Sequence, residues 1–131
     1  MIVVDASALV AIGDEEHDAN DFLGVLGTDD AVIASINYVE AGLILIGRRR
    51  MATKADFDRW LGLLQITVRT TDDLAGPALE AYLTYGRNYH RARLNLAECF
   101  AYALAKQLDL PLLYKGDDFA FTDIRSALQP T

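Results

Sequence analysis

The chain has 131 residues, a length typical of a single domain, and we expect one domain over residues 1–131. Hydrophobic residues make up 52% of it and charged residues 24%, which are ordinary values for a globular protein. The net charge of −7 argues against a protein that coats nucleic acid, and the single cysteine, Cys99, excludes an internal disulfide or a multi-cysteine zinc site. No signal peptide or long apolar run is evident, so we expect a cytoplasmic protein without a membrane span.

Short apolar runs alternate with segments of helical periodicity along the chain. The predicted strands lie at 2–4, 31–34, 65–69 and 112–114, with a short edge strand at 126–128 that Pro130 ends. The predicted helices lie at 8–12, 15–26, 36–49, 54–64, 72–89 and 94–108, and their N-cap candidates include Ser7, Ser35 and Thr53. This alternation predicts an α/β fold in three layers, with a short central parallel sheet flanked by helices.

Acidic side chains stand at two strand ends and on two apolar helices. Asp5 directly follows the first strand, and Asp117 follows the last. Glu40 and Glu98 have mostly apolar neighbours at three and four residues' distance, so each is predicted to lie on a buried helix face. A buried carboxylate must be protonated, paired or bound to a cation. Because the carboxyl ends of parallel strands form a ligand-binding crevice, we expect these acids to converge there.

Such a cluster suits a hard divalent cation. Mg²⁺ and Mn²⁺ prefer oxygen ligands, and Mg²⁺ takes one or two carboxylates directly while it keeps several waters. A cation of this kind activates water and stabilises charge on phosphoryl oxygens. The sequence therefore indicates metal-dependent hydrolysis of a phosphodiester.

The same residues carry a resemblance to a known family. The motifs are IVVDASAL at 2–9, NYVE at 37–40, LNLAECFAYALAK at 94–106, LLYKGDDF at 112–119 and TDI at 122–124. Together, in this order, they resemble the PIN-domain ribonucleases, and among these the VapC toxins of bacterial toxin–antitoxin pairs. The resemblance spans essentially the whole chain.

The resemblance implies a PIN-like fold and an endoribonuclease that depends on Mg²⁺, with Mn²⁺ as a substitute. It implies an RNA substrate, a homodimer and a VapB-type antitoxin partner. The acidic quartet of the family, with catalytic and metal-binding roles, maps onto Asp5, Glu40, Glu98 and Asp117. One position departs from the pattern, because the third acid of the family is normally aspartate and Glu98 is one methylene longer.

Further residues are candidates for supporting roles. Asp118 and Asp123 are candidate auxiliary acids, and the resemblance does not settle which of them contacts metal. Ser7 and Thr122 are expected to orient carboxylates through their hydroxyl groups. A basic group near the fifth and sixth helices is a candidate for contact with the RNA backbone: Arg87, His90, Arg91 and Arg93.

Two other functions remain open at this point. Glu98 could have disabled turnover, which would leave a catalytically weak or inactive PIN scaffold or RNA-binding protein. A receiver-type phosphoacceptor domain shares the length, acidity and α/β class. It should carry an aspartate just after strand three, where this chain has Thr70 and Thr71, so we rank it last.

Overall fold

The computed structural model describes residues 1–70 and 72–128. Its strands are β1 (Ile2–Val4), β2 (Ala31–Ala34), β3 (Ile66–Arg69) and β4 (Leu112–Leu113). Its helices are α1 (Ala6–Gly13), α2 (Ala19–Leu26), α3 (Ser35–Gly47), α4 (Lys54–Leu63), α5 (Ala75–Tyr85) and α6 (Leu96–Leu108), and a 3₁₀ helix follows at Phe119–Phe121. The strands pair in parallel in the order β3-β2-β1-β4. The predicted α/β class with a short parallel sheet is confirmed.

The sheet separates two apolar cores because successive strand residues point to opposite faces. Ile2 and Val4 of β1 pack into a core formed with helices α1 to α4, where Phe22 and Phe57 are fully buried. Val3 faces the other way, into a core formed with α5 and α6. The central strand is therefore covered on both sides, and its apolar residues Ile2, Val3 and Val4 are all buried.

The first helix begins two residues earlier than the cap prediction implied. Asp5, not Ser7, is the N-cap of α1, and its Oδ2 accepts a hydrogen bond from the Ser7 backbone N–H at 3.0 Å. The cap prediction for α4 is confirmed, since Thr53 Oγ1 accepts from the Asp56 N–H at 3.1 Å. Helix α3 follows β2 without a loop, and Ser35 is its first residue rather than its cap.

Helix α5 is shorter than predicted at both ends. It starts at Ala75 after the N-cap Leu74, and it stops at Tyr85 because Gly86 turns to an extended conformation. A Cβ on Gly86 would stand 2.3 Å from the Tyr82 carbonyl oxygen, so only glycine fits this close approach. The residues that the prediction placed in the last turn of α5 belong instead to a loop that leads to α6.

Other predicted elements are also shorter in the structure, and the largest differences are in α2 and the edge strand. Helix α2 begins at Ala19 rather than at residue 15. The edge strand predicted at 126–128 is a single parallel bridge between Ser126 and Leu112, and the predicted stop at Pro130 lies outside the described residues. In the part of the chain that the structure describes, no helix has the length and apolar character needed to cross a membrane.

Candidate active site

The carboxyl edge of the sheet brings three of the four predicted acids to one pocket. Asp5 follows β1, and its backbone N–H donates to the Leu113 carbonyl oxygen of β4 at 2.9 Å. Glu40 lies in the second turn of α3, and Glu98 lies in the first turn of α6. The three carboxylates line a pocket of about 300 Å³ between these elements. The convergence predicted from strand ends and helix periodicity is therefore seen for Asp5, Glu40 and Glu98.

Asp5 has two carboxylate oxygens in different situations. Oδ2 accepts the capping hydrogen bond from Ser7, whereas Oδ1 is buried and has no hydrogen-bond partner among the described residues. The residue is only 3% exposed. Burial raises the pKa of Asp5 above its ordinary value, and the charge of Asp118 raises it further, although hydrogen bonds from Ser7 and Ala6 oppose the shift. An unpartnered buried carboxylate oxygen is unfavourable unless a proton or a cation reaches it.

Glu40 is half-buried on α3 and lines the same pocket as Asp5. Burial raises its pKa, and the charge of Asp5 adds to the rise. Because the charge of one carboxylate raises the pKa of the next, ionisation of all the acids of the cluster at once is unfavourable. A bound cation would reverse this preference.

Glu98 combines a structural contact with a place in the acid cluster. Its Oε1 accepts from the Asn95 N–H at 3.0 Å, and Asn95 Oδ1 accepts from the Glu98 N–H at 2.8 Å, so the two residues form a capping box at the start of α6. Burial raises the pKa of Glu98 to about 8, and the charges of Asp5 and Asp118 contribute to the rise. Without a cation, this environment favours the protonated carboxyl of Glu98 over the charged one.

At the fourth position, the structure brings Asp118 rather than Asp117 towards the cluster. Asp118 precedes the 3₁₀ helix, and its carboxylate lies near enough to Glu98 and Asp5 to raise the pKa of both. Asp117 is exposed, and within residues 1–70 and 72–128 its carboxylate makes no hydrogen bond or ion pair. Gly116, with a φ of 101°, lets the chain turn so that the second acid of the pair faces Glu98.

The predicted supporting hydroxyl groups differ in what they contact. Ser7 Oγ accepts from the Lys115 backbone N–H at 3.0 Å, which ties the loop after β4 to the first turn of α1. Thr122 does not orient a carboxylate. Its Oγ1 donates to the Phe119 carbonyl oxygen at 2.7 Å and accepts from the Ile124 N–H at 3.2 Å, so it closes the turn after the 3₁₀ helix.

Asp123 lies in a separate network. Its carboxylate accepts from the Tyr102 hydroxyl at 2.5 Å and from Lys106 Nζ at 3.0 Å, in a cleft between α5 and α6. These contacts lower the pKa of Asp123, chiefly through the Tyr102 hydrogen bond. Its role as an auxiliary acid of the cluster gains no support from this geometry.

The four basic candidates are spread over the loop between α5 and α6. Arg87 lines an apolar groove between those helices, and Arg93 is exposed. His90 is engaged internally, since its Nδ1 accepts from the Ala92 N–H at 3.0 Å. The Arg91 guanidinium lies 4.8 Å from the centre of the Phe121 ring, and this contact ties the loop to the 3₁₀ helix that follows Asp118.

Two residues of the site were missed by the sequence reasoning. Asn37 is fully buried on α3, and its Nδ2 donates to the Ala97 carbonyl oxygen at 2.9 Å, which links the helix of Glu40 to that of Glu98. Lys115 lines the acidic pocket. An asparagine within an apolar helix and a lysine directly before the glycine and acid pair were the available signals.

The donor set fits a divalent cation that is held through few direct contacts. Within residues 1–70 and 72–128, no group of three or more His, Cys, Asp or Glu residues is arranged to hold a metal ion by itself. Mg²⁺ typically takes one or two carboxylates and retains several waters, so an enclosing cage is not required. The unpartnered Oδ1 of Asp5 is a free oxygen ligand beside Glu40 and Glu98.

The comparisons with known proteins agree with this geometry. A model of the PIN domain family matches residues 2–124. Ribonuclease VapC30 of Mycobacterium tuberculosis is 38% identical over 131 residues, with 98% of this chain and 100% of that protein covered. Ribonuclease VapC42 of the same organism is 41% identical over 129 residues, with 96% and 98% covered. The chain belongs to the VapC ribonucleases of the PIN-domain family.

A solved structure shows the same VapC fold at much lower sequence similarity. The crystal structure of Mycobacterium tuberculosis VapC20, described as a Sarcin-Ricin loop cleaving toxin, superposes with a TM-score of 0.73 at 14% identity. The match covers 95% of this chain and 99% of that one. The predicted family, the PIN fold and the VapC-type ribonuclease function are thus confirmed.

Proposed function

We propose that this VapC ribonuclease depends on Mg²⁺, for which Mn²⁺ substitutes, and that Asp5, Glu40, Glu98 and Asp118 form its acidic centre. The observation that carries the proposal is the buried, unpartnered Oδ1 of Asp5 in a pocket lined by two further acids with raised pKa values. Such a cluster repels an anionic phosphodiester unless its charge is neutralised. When bound, the cation supplies Lewis-acid activation of a water nucleophile and stabilises charge on the phosphoryl oxygens.

The protein's own residues would fix the geometry of that centre. The capping bond from Ser7 engages Oδ2 of Asp5 and leaves Oδ1 without a partner among the described residues, so Oδ1 would be available to hold the cation. Glu98 is held by the capping box with Asn95, so its longer side chain is anchored rather than free. Asp118 sits after a glycine turn and completes the acidic surface next to Glu98. Asp117, the residue to which the family pattern pointed, is the alternative at the fourth position.

The direct test is cleavage of total cellular RNA by the purified protein with Mn²⁺ or Mg²⁺, with EDTA, and with Asp5→Asn. Asparagine is as good an N-cap as aspartate, so this variant removes the charge and keeps the cap. Asp21→Asn, an exposed acid on α2, is the matched control. We expect discrete cuts that need the metal, persist in Asp21→Asn and disappear in Asp5→Asn. Cuts that survive EDTA would contradict the metal-dependent mechanism.

A second candidate, an inactive PIN scaffold, is favoured by one observation. Glu98 replaces the usual aspartate of the family and commits Oε1 to the Asn95 N–H. If this contact withholds the carboxylate from the cation, the protein binds RNA without cutting it. Glu98→Asp separates the two functions, because a large gain in cleavage would show that the native glutamate limits turnover.

The partners proposed for this protein follow from its family. We propose RNA as the substrate, a VapB-type antitoxin as the inhibitor, and a homodimer as the active assembly. The apolar side chains of Val39 and Leu43 on α3 are 51% and 72% exposed, which supports the idea that a partner chain covers this surface. Co-expression with the small protein encoded next to it tests the antitoxin, and a neighbour that neither binds nor inhibits would count against it. Sedimentation equilibrium tests the dimer.

A further inference from the structure

Lys115 is anchored at the acidic pocket through its backbone. It lies two residues beyond β4, and its backbone N–H donates to Ser7 Oγ at 3.0 Å. Among the described residues that line the pocket, Lys115 is the only lysine or arginine, and it stands with the carboxylates of Asp5, Glu40 and Glu98. Ser7 therefore contacts both residues, because its backbone N–H donates to Asp5 Oδ2 and its hydroxyl oxygen accepts from the Lys115 N–H.

The Lys115 side chain is held at the pocket rim by two acids from the segment between α1 and α2. Its ammonium group forms ion pairs with Glu16 and, at 3.2 Å, with Asp18. The side chain is 29% exposed, so the ammonium is reachable from solvent. The hydrogen bond to Glu16 raises the pKa of Lys115, which keeps the group charged. The three side chains are only partly buried, so water screens these ion pairs and an incoming anion can displace them.

The charge balance of the pocket calls for a positive group besides a cation. Every other charged residue that lines the pocket, within the described part of the chain, is an acid: Asp5, Glu16, Glu40 and Glu98. A phosphodiester strand carries a charge at each nucleotide, so phosphates next to the cleaved bond must also pass these acids. Even if a divalent cation neutralised the charge of the reacting phosphate, the neighbouring phosphates would still face these acids.

We propose that Lys115 binds a phosphate of the RNA substrate at the pocket rim, and that Glu16 and Asp18 hold its ammonium there while RNA is absent. The proposal rests on the ribonuclease function given above. On binding, the ammonium exchanges one carboxylate oxygen for a phosphate oxygen and donates to it as a point charge. Lys115 then acts as a substrate-binding residue that contacts a phosphate next to the cleaved bond.

The test compares Lys115→Met and Lys115→Arg with the wild type in Mn²⁺-dependent cleavage. We expect Lys115→Met to raise KM about tenfold with a smaller effect on kcat, and Lys115→Arg to restore most of the loss, as one lost charge-assisted contact implies. Lys106→Met is the matched control, since Lys106 pairs with Asp123 in a different cleft and should leave KM unchanged.

A binding measurement separates this contact from a structural role of the ion pairs. In the Asp5→Asn background, anisotropy of a fluorescein-labelled single-stranded RNA of mixed sequence is followed between about 50 and 200 mM KCl. Lys115→Met should reduce the slope of log K against log salt by about 0.7, the value for one phosphate contact on a single strand. Glu16→Gln combined with Asp18→Asn should release the ammonium and lower KM.

The outcomes that overturn the proposal are distinct from failure of the ribonuclease function. An unchanged KM and salt slope in Lys115→Met would show that Lys115 does not bind RNA. A rise in KM together with a lower melting temperature in the Glu16 and Asp18 double variant would show that the ion pairs only support the fold. Absence of cleavage by the wild type with either metal would instead contradict the proposed ribonuclease mechanism.

Discussion

Replacement of Glu98 by glutamine should stabilise the metal-free protein near neutral pH. The pKa of this carboxyl is raised to about 8 in the folded state, chiefly by burial, from an ordinary value of 4.5. Folding at neutral pH therefore requires either uptake of a proton or burial of a charge beside Asp5 and Asp118. Glutamine carries no charge, and its side-chain oxygen can keep the capping hydrogen bond from the Asn95 N–H.

The magnitude follows from linkage between protonation and folding. At about pH 7.5, a shift from 4.5 to about 8 corresponds to a destabilisation of at most about 4 kcal/mol. Because Glu98 is only partly buried, water screens part of this effect, and we expect about 2 kcal/mol. For a domain of this size, that difference raises the melting temperature by about 6–8 °C.

The sign of the pH dependence distinguishes this explanation from a general gain in stability. Because the pKa of Glu98 is higher in the folded state, this carboxyl costs the wild type no stability below about pH 4.5 and an increasing amount as the pH rises towards about 8. The advantage of Glu98→Gln should therefore vanish at about pH 4.5 and grow with pH. Urea unfolding in EDTA at several pH values measures this difference in stability, and Glu80→Gln, at an exposed position of α5, is the control. An advantage that does not change with pH would refute the reasoning.

Three further predictions concern the same site. Asp118→Asn should reduce metal-dependent cleavage by at least about tenfold, whereas Asp117→Asn should retain most activity, and the opposite order would restore Asp117 to the fourth position. Saturating Mg²⁺ should raise the melting temperature of the wild type more at about pH 8 than at about pH 6, because the cation must displace the proton of Glu98. Thermal melts with and without the metal measure this difference, and a metal effect that does not change with pH would count against the proton exchange. Asn37→Ala should lower the free energy of unfolding by about 1–2 kcal/mol through loss of its hydrogen bond to the Ala97 carbonyl, and urea unfolding with no change in midpoint would contradict that role.

The sheet and three of the acids could be predicted because local patterns decide them. The apolar residues before Asp5 predict a strand that ends at this acid, and a parallel topology places the ends of neighbouring strands together. Glu40 and Glu98 interrupt apolar helix faces, which marked them as buried acids. These are properties of a short window of sequence, so no knowledge of distant contacts was needed.

The parts that sequence could not supply depend on contacts between distant segments. Asp117 and Asp118 are adjacent, and the turn at Gly116 decides which of them faces Glu98. The end of α5 depends on the contact between Gly86 and Tyr82, and periodicity alone predicted a longer helix. The place of Lys115 rests on a hydrogen bond to Ser7, which lies 108 residues away in the chain.

The two oxygens of Asp5 divide folding and the proposed catalysis between them. Oδ2 accepts the hydrogen bond that begins α1, and Oδ1 is the oxygen proposed to bind the cation, so a change to asparagine removes a charge while it preserves the start of α1. Loss of activity and loss of shape are therefore separable by a single substitution. An inactivated descendant would still present the surface on which the proposed antitoxin acts, and it could sequester that antitoxin from active copies. Such decoys are an accessible evolutionary outcome for this architecture.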